Sequence, residues 1–397
     1  MAKEKEEFSF SDLNKFMDKN SKYGGLLSDG AGVSEITDYI STGNYLLNAA
    51  FTGSLFKGIP NNRSIELCGP SGTGKSYLSL NIIREAQKKD YFVIFYDSEN
   101  AVDSKLCESF GVDLSKLRYE PVQTVQEFRT SVTQVVDTLI EAKDAGKSIP
   151  KLFIVLDSIG NLATQKEISD AIAGAEKQDM SRAKVIKSIF RILMSKLGII
   201  GGTFLFTNHI YLTQDLFAQQ VAGGGTGAEY GASAIMFLNK AKLKEGGAEQ
   251  TGIIVTAKPN KNRFAKPNTV RFHISYNHGM NPYVGLENYL DWNACGVGRG
   301  KFIDEKEYNK LSDKDKEAIG VCTGKDGNTY YFQQSDTGRN ICTDSGEAFS
   351  LKQLYTPQVW TEERLRRLDE TRIKADFAYS TSDTKTVAEE MLDEEDN

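Results

Sequence analysis

Cysteine is scarce in this chain, and long apolar runs are missing. The five cysteines are scattered through 397 residues without a C-x-x-C pair, so we expect neither a disulfide framework nor a cysteine-bound zinc, and we expect a reducing, cytoplasmic environment. No apolar run reaches the roughly 18 residues of a membrane span, and the opening sequence MAKEKEEFSF lacks the apolar stretch of a signal peptide. We therefore expect a protein with no membrane partner.

One segment, GPSGTGKS, fits the phosphate-binding pattern G-x-x-x-x-G-K-[ST]. Its glycines let backbone N–H groups surround phosphates, the lysine can reach the β and γ phosphates, and the serine hydroxyl can hold Mg²⁺. An apolar strand pattern precedes the segment and a helical pattern follows it, which is the context that the motif requires. The expected site for a nucleotide with Mg²⁺ consists of Gly69, Pro70, Ser71, Gly72, Thr73, Gly74, Lys75, Ser76 and Tyr77.

Apolar strand patterns alternate with helical patterns over most of the chain. This alternation predicts a doubly wound α/β fold with a mostly parallel sheet, whose ligands lie at the carboxyl ends of the strands. A capping box at Thr124 and Glu127 marks the start of one helix. The predicted strands are 63–68, 91–97, 152–157, 202–208, 233–238, 252–257 and 269–276, and the predicted helices are 40–50 (with a turn), 75–89, 124–146 and 181–198.

Polar residues follow three of these strands. Asp157 ends a strand at the usual position of a carboxylate that steers Mg²⁺, although an acid there can also simply cap a turn. Glu99 follows the strand 91–97 and can polarise an attacking water, although most strand-end acids are only solvated. Asn208 and His209 end a further strand, and His209 is either a contact to the γ-phosphate or a structural histidine.

Two long segments leave the same predicted edge of the sheet. The first, 159–180, carries Lys166 and Lys177 and is followed by Arg182, Lys184 and Lys187. The second, 210–232, has no Lys or Arg, but its glycines can let N–H groups approach phosphates and Phe217 can insert between bases. The net charge of −6 does not by itself indicate nucleic-acid binding, so charge leaves this function open.

The two ends of the chain differ in composition from its middle. Residues 1–30 read as an arm and linker, with an apolar helical stripe at 8–20 that packs either on its own core or on a neighbouring subunit. From residue 295 the pattern indicates a small α+β domain up to 378, including a helix at 360–377. Residues 379–397 carry six acidic residues after the last lysine, Lys385, and read as a disordered acidic tail.

Between 40 and 292 the chain resembles the RecA-type recombinase family, and within it the bacteriophage UvsX-like members. The resemblance rests on an ordered set of segments, which is more specific than a phosphate-binding loop alone. These are ISTG (40–43), GPSGTGKS (69–76), FYDSEN (95–100), LDSIGNLA (156–163), DMSRAKVIKSIFR (179–191), TNH (207–209), GGGTG (223–227) and KNRF (261–264). Residues 31–294 would then be the RecA-like ATPase core.

The resemblance implies roles for individual residues. Glu99 matches the glutamate that activates water, Asp157 the Mg²⁺-associated acid, and His209 the sensor of the γ-phosphate. Asp103 falls near the adenine, where Leu106 replaces an aromatic residue of cellular relatives. The resemblance also implies that Lys261 and Arg263 contact ATP bound by the adjacent subunit. It further implies that the two segments bind DNA, through Lys166, Lys177, Arg182, Lys184, Phe217, Gly223, Gly224, Gly225, Thr226 and Gly227.

The resemblance also implies a function and partners. Such a protein forms ATP-dependent helical filaments on single-stranded DNA, pairs that DNA with a homologous duplex and exchanges strands, in the host cytoplasm if phage-encoded. It would work with a single-stranded-DNA-binding protein and a recombination mediator in recombination, repair and replication. Rival interpretations are a hexameric helicase, a branch-migration ATPase, and a scaffold that uses ATP only to hold a filament together.

Overall fold

Helices occur throughout the described part of the chain. The computed structural model describes residues 8–29, 35–174, 181–212, 220–223, 226–244, 247, 249–324 and 326–379. Its α-helices are α1 (Phe10–Asn20), α2 (Tyr45–Thr52), α3 (Lys75–Gln87), α4 (Ser104–Ser109), α5 (Val125–Asp144), α6 (Gln165–Ile172), α7 (Arg182–Ile200), α8 (Thr226–Gly231), α9 (Trp292–Cys295), α10 (Glu305–Lys310), α11 (Asp313–Lys316), α12 (Glu362–Leu368) and α13 (Lys374–Phe377). None of the helices in this part of the chain is long and apolar enough to cross a membrane.

The strands are concentrated between these helices. They are β1 (Tyr39–Ile40), β2 (Ile59–Pro60), β3 (Ser64–Cys68), β4 (Tyr91–Asp97), β5 (Leu117–Pro121), β6 (Lys151–Asp157), β7 (Thr203–Asn208), β8 (Ile210–Leu212), β9 (Gln220–Ala222), β10 (Ala234–Leu243), β11 (Gly252–Asn262), β12 (Val270–Ser275), β13 (Gly279–Met280), β14 (Val297–Ile303), β15 (Ile319–Thr323), β16 (Thr329–Gln334), β17 (Arg339–Cys342) and β18 (Ala348–Phe349). All seven predicted strands are present.

The described residues form two compact units. The first contains those up to Ile40 together with Ile59–Met236, and the second contains Ser41–Gly58 together with those from Phe237 onward. In the first unit five strands pair in parallel in the order β3, β7, β6, β4, β5. Their carboxyl ends share one edge, where ligands bind in open α/β sheets. The predicted doubly wound α/β core is therefore confirmed.

A cluster of phenylalanines joins α5 and α7 to this parallel sheet. The rings of Phe128 and Phe204 lie 5.9 Å apart, and those of Phe190 and Phe206 lie 5.0 Å apart. All four side chains are buried, and burying one such side chain contributes about 1.5–3 kcal/mol. This packing holds β7 firmly, and β7 ends at the candidate site.

The second unit contains antiparallel sheet on both sides of Cys295. Strand β12 pairs antiparallel with β11 and with β13. Beyond Cys295, five antiparallel strands follow in the order β15, β16, β14, β17, β18. The Trp292 ring lies against this sheet, 5.2 Å from the ring of Phe332. The predicted small C-terminal α+β region is present.

Several elements differ from the sequence-based prediction. Strand β5 was not predicted, because Leu117–Pro121 is mostly polar and exposed and lies at the edge of the sheet. Strands β10 and β11 extend well beyond their predicted carboxyl ends. The helix predicted at 360–377 begins at Glu362 and includes one turn of π-helix, Asp369–Ile373.

The predicted amphipathic arm is a helix in the structure. A capping box between Ser9 and Asp12 starts α1. Its apolar stripe is exposed, comprising Phe10, Leu13, Phe16 and Met17. The described part of the chain therefore does not bury this stripe. The predicted acidic tail lies, apart from Tyr379, outside the described residues.

Candidate functional site

The phosphate-binding loop joins β3 directly to the first turn of α3. Gly72 and Gly74 have φ angles of 71° and 86°, in the left-handed region that favours glycine. Gly74 is also the N-cap of α3 and supplies no side-chain cap, and the N–H groups at such a helix N-terminus favour the binding of an anion. The buried ammonium of Lys75 donates to the carbonyl oxygens of Gly69, at 2.8 Å, and Pro70, at 3.1 Å. The loop thus combines N–H donors with one cation.

Ser76 and Asp157 come together beside this loop. Asp157 ends β6 and is 1% exposed, and its carboxylate accepts a hydrogen bond from the Thr207 hydroxyl. Burial raises the pKa of Asp157, although the neighbouring Ser76 and Thr207 hydroxyls act to lower it. Its Oδ2 atom has no hydrogen-bond partner among the described residues. A buried carboxylate oxygen of this kind, next to a serine hydroxyl, fits Mg²⁺, which takes few protein oxygens and completes its shell with phosphates and water.

Glu99, Ser158 and His209 form a hydrogen-bonded group at the same edge. The Ser158 hydroxyl donates to Glu99 Oε1 at 2.5 Å, and His209 Nε2 lies 3.1 Å from that oxygen. Burial of Glu99 favours a raised pKa, but the hydrogen bonds from Ser158 and His209 outweigh it and lower the pKa. Glu99 is therefore ionised and able to accept a proton. The structure brings together Glu99, Asp157 and His209, which the sequence placed at separate strand ends.

Asp103 and Tyr77 lie near the start of α4 and α3, respectively. Asp103 is the N-cap of α4, and its Oδ1 accepts from the N–H of Leu106 at 2.7 Å. The Leu106 side chain is 37% exposed. The Tyr77 ring packs edge-on against Phe110, with centroids 4.4 Å apart. An exposed apolar side chain beside a carboxylate suits a nucleobase, although no aromatic ring stands at Leu106.

Lys261 and Arg263 belong to the second unit. Lys261 lies in the last residues of β11, and Arg263 follows that strand and is exposed. Between them, the Asn262 side-chain amide donates to the carbonyl oxygens of Ala50 and Phe51, at 2.9 and 3.1 Å. These bonds fix the backbone that carries the two cations.

The first predicted DNA-binding segment is described up to residue 174. Lys166 is exposed on α6, and Lys184 is exposed near the start of α7. Arg182 instead turns back on the segment, because its guanidinium donates to the carbonyl oxygens of Gly160, at 2.6 Å, and Ile159, at 3.2 Å. Arg182 therefore closes the base of the segment. Lys177 lies outside the described residues.

The second predicted segment begins with a short antiparallel pair, β8 with β9. Gly223 follows β9, and Thr226 and Gly227 begin α8. A Cβ atom on Gly227 would lie 2.8 Å from Lys187 Cβ, so close packing of α8 on α7 also accounts for this glycine. Phe217, Gly224 and Gly225 lie outside the described residues.

A cavity of about 640 Å³ lies between α7 and α8. Three cations lie along one side of it, Lys184, Lys187 and Arg191, at a spacing that places them on one face of α7. The ring of Tyr230, which is 70% exposed, lies on the other side. Cations next to an exposed aromatic ring are a combination found in proteins that bind single-stranded nucleic acid.

The sequence reasoning missed several polar residues of the site. Ser158, Thr207 and the side chain of Asn208 all make buried or partly buried hydrogen bonds at this edge. Their position at the carboxyl ends of β6 and β7 was an available signal, since parallel strands bring such ends together. Hydroxyl and amide side chains are common at strand ends, so this signal alone does not separate functional from structural residues.

Comparison with known proteins identifies relatives whose names refer to RecA or to recombination and repair. The family described as the RecA N-terminal domain matches residues 10–281. A protein named "Recombination and repair protein" from Enterobacteria phage T4 is 31% identical over 252 residues, which are 63% of this chain and 62% of that protein.

Cellular proteins match over a similar region. Protein RecA of Rubrobacter xylanophilus is 29% identical over 318 residues, covering 73% of this chain and 86% of that protein. The mitochondrial "DNA repair protein recA homolog 3" of Arabidopsis thaliana is 28% identical over 246 residues, covering 60% and 54%. The chain thus spans less than two thirds of the length of the T4 and Arabidopsis relatives.

Proposed function

The chain belongs to the RecA family, and on that premise we propose that it is an ATP-dependent strand-exchange protein of homologous recombination and repair. It forms helical filaments on single-stranded DNA and pairs that DNA with a homologous duplex. One observation carries the proposal most directly: His209, which leads into the 210–232 segment, contacts Glu99 beside the phosphate-binding loop. A nucleotide site and a candidate DNA segment therefore share one side chain.

ATP with Mg²⁺ fits the loop from Gly69 to Tyr77. When bound, Mg-ATP supplies the phosphoanhydride bond and a metal ion that withdraws charge from the phosphates. The loop N–H groups and Lys75 hold the phosphates, while Ser76 and Asp157 hold the metal. Asp103 would lie near the base.

Glu99 is the proton acceptor in this proposal. Its lowered pKa keeps it ionised at neutral pH, and a carboxylate within hydrogen-bond reach of a water can take its proton as the water attacks. Ser158 orients the carboxylate through the 2.5 Å hydrogen bond. His209 contacts the γ-phosphate and couples its presence to the 210–232 segment.

The remaining site residues act between neighbouring copies. Lys261 lies in β11 and is partly exposed, and Arg263 follows that strand and is exposed. We assign both cations to the ATP bound by the adjacent protomer. The exposed stripe of α1 gives the arm an apolar surface for that neighbour. In this assignment residues 1–30 form the arm, 31–294 the ATPase core, 295–378 a small domain and 379–397 an acidic tail.

DNA binding is assigned to the two segments and the cations near them. Lys166 and Lys184 are exposed, and with Lys177 they supply charge for phosphates. Phe217 and the backbone of residues 223–227 supply base and phosphate contacts in the segment without basic residues. Arg182 serves by closing the base of the first segment. The six tail carboxylates compete with phosphates for these sites.

The partners follow from this function. They are single-stranded DNA, homologous double-stranded DNA and further copies of this chain, together with a phage single-stranded-DNA-binding protein and a recombination mediator. The setting is the cytoplasm, that of the host cell if the chain is phage-encoded, where the protein supports recombination-dependent replication.

Strand exchange tests the proposal. Circular single-stranded DNA is incubated with linear duplex, ATP and Mg²⁺, and joint molecules are followed on agarose gels. We expect joint molecules with a homologous duplex and none with a heterologous duplex or with Lys75→Ala. Unwinding of the duplex without pairing, together with closed rings in negative-stain images, would favour a helicase. Filaments with no ATP turnover would favour a scaffold.

A further inference from the structure

The Asn208 side chain sits at the centre of a buried hydrogen-bond network. Asn208 is the last residue of β7 and is 0% exposed. The side-chain amide donates to Glu66 Oε1 at 2.8 Å and to the carbonyl oxygen of Gly223 at 2.7 Å. Its Oδ1 accepts from the N–H of His209 at 2.9 Å. One side chain therefore forms hydrogen bonds with Glu66 of β3, with Gly223 of the second segment and with His209.

Asn208 also lies between glycines of the two segments. A Cβ atom on Gly160, at the start of the first segment, would lie 3.1 Å from Asn208 Oδ1. A Cβ atom on Gly223, in the second segment, would lie 3.0 Å from the same oxygen. Both distances are shorter than ordinary contacts of a Cβ atom. The backbones of both segments thus approach one amide group, and a Cβ atom at either glycine would press against it.

Glu66 is an unusual residue for its position. It lies in the middle of β3, is 0% exposed, and precedes the first loop glycine, Gly69, by three residues. A buried carboxylate costs folding free energy that an apolar side chain would avoid, and hydrogen bonds offset that cost. Gly69 itself donates its N–H to the Asn208 carbonyl oxygen at 3.2 Å. Asn208 is therefore joined to β3 by its side chain and to the phosphate-binding loop by its backbone.

We propose that Asn208, held by Glu66, is a positioning residue that couples occupancy of the phosphate-binding loop to the bases of both segments. It touches no reacting atom. Movement of β3 and the loop on nucleotide binding shifts the Asn208 amide, and the amide then moves Gly160 and Gly223 together. The inference rests on the proposed function, because it takes the two segments to be the DNA-binding elements.

Hydrogen exchange measures this coupling without DNA. Wild-type protein is compared with and without a slowly hydrolysed ATP analogue, and exchange is followed in peptides that cover residues 159–174 and 209–223. We expect the analogue to slow exchange in both regions of the wild type. In Asn208→Ala we expect analogue binding to remain, and the slowing in both regions to fall at least about fivefold, the lower end of typical couplings between sites.

A matched control separates coupling from lost stability. Asn48 is also a buried asparagine, and its side chain makes four hydrogen bonds, with Thr42 (two), Ser41 and Leu55. Asn48→Ala should leave the nucleotide response of both regions intact. If it abolishes that response as Asn208→Ala does, general destabilisation explains both variants and the inference is overturned.

A double variant tests the network if Asn208→Ala does not fold. Glu66→Gln with Asn208→Asp restores the buried hydrogen bond with its direction reversed, but the introduced carboxylate has no N–H for the Gly223 carbonyl oxygen. We expect this variant to fold, to bind the analogue and to lose the response around Gly223. A wild-type response in this variant, or no response in the wild type itself, overturns the inference.

Two further outcomes are distinguishable. Loss of analogue binding in the double variant would show that Asn208 builds the nucleotide pocket, which also overturns the positioning role. Failure of the proposed function would instead appear as wild-type ATP hydrolysis that does not respond to single-stranded DNA, a separate measurement from the exchange response.

Discussion

The Nε2 atom of His209 lies 3.1 Å from Oε1 of Glu99. This contact links the end of β7 to the residue that follows β4, although the two are 110 positions apart in the chain. Because His209 precedes the 210–232 segment, a shift of its backbone would move a side chain that contacts the carboxylate we propose as proton acceptor.

Removing the charge of Glu99 should slow hydrolysis and spare binding. Glu99→Gln keeps the size of the side chain and an acceptor for the Ser158 hydroxyl, but it cannot take a proton. We expect the rate of phosphate release to fall by about 10²–10⁴-fold, the usual contribution of a general base. ATP-analogue binding and DNA binding should stay as in the wild type. Normal turnover would remove Glu99 from the role.

The pH dependence of hydrolysis should respond to Ser158. The Ser158 hydrogen bond helps to lower the pKa of Glu99, so Glu99 stays ionised and active to lower pH than an ordinary glutamate. Ser158→Ala removes that bond, and the pKa should rise. We therefore expect the acid limb of the pH–rate profile to move to higher pH. Ser131→Ala, which removes a hydroxyl paired with Tyr96, should leave the profile in place.

The Mg²⁺ requirement should depend on Asp157. Asp157→Asn keeps the shape of the side chain but loses the charge that attracts the metal. We expect the Mg²⁺ concentration for half-maximal hydrolysis to rise by about 10–100-fold at fixed ATP. Asp38→Asn is the control, because Asp38 pairs with Lys89 and Lys151 away from this site. An unchanged Mg²⁺ titration for Asp157→Asn would contradict its assignment.

The Asp38 control should itself show a pH-dependent stability. Burial of Asp38 favours a raised pKa, but the ammonium groups of Lys89 and Lys151 lower it to about 2. Its stabilisation is complete above the ordinary value of 3.8 and is lost as the pH falls through about 2. Asp38→Asn should therefore lower the free energy of unfolding by about 1 kcal/mol at pH 7, since the lysines are solvent-exposed. Denaturant titration at pH 7 and pH 2 measures the difference, which should shrink toward zero at the lower pH.

The α1 stripe should matter only between copies of the chain. Phe10 and Phe16 are 73% and 59% exposed, so Phe10→Ser with Phe16→Ser should leave the melting temperature of the monomer unchanged. If the stripe packs on a neighbouring copy, replacing each phenylalanine removes about 1.5–3 kcal/mol of the free energy of burial at that interface. We expect filaments on single-stranded DNA to shorten or disappear in electron micrographs. Filaments of wild-type length would place the interface elsewhere.

Much of the fold was predictable because the central strands are apolar throughout. Strands β4 and β6 are buried on both faces over most of their length, and an unbroken apolar run predicts such a strand. Strand β5 escaped prediction because an edge strand buries few side chains and so carries no apolar pattern. The β8–β9 pair escaped as well, since its pairing joins residues such as Tyr211 and Val221 that are separated in the chain.

The site was predictable to the extent that it follows from parallel topology. Glu99, Asp157 and His209 each end or follow a strand, and a parallel sheet brings such positions to one edge. The network of Asn208 was not predictable in this way. Its partners come from three separate regions, around Glu66, Gly160 and Gly223, and only the folded chain shows that they converge on one amide. Likewise, the sequence could not show that Arg182 binds backbone carbonyl oxygens.

The most direct test of the account is the rate of ATP hydrolysis with and without single-stranded DNA. If ordering of the segments by DNA acts through His209 and Glu99, the hydrolysis rate should be higher with DNA than without it. The Lys75→Ala protein should stay inactive in both conditions. Equal wild-type rates with and without DNA would contradict the coupling of the two sites, and with it the proposed function.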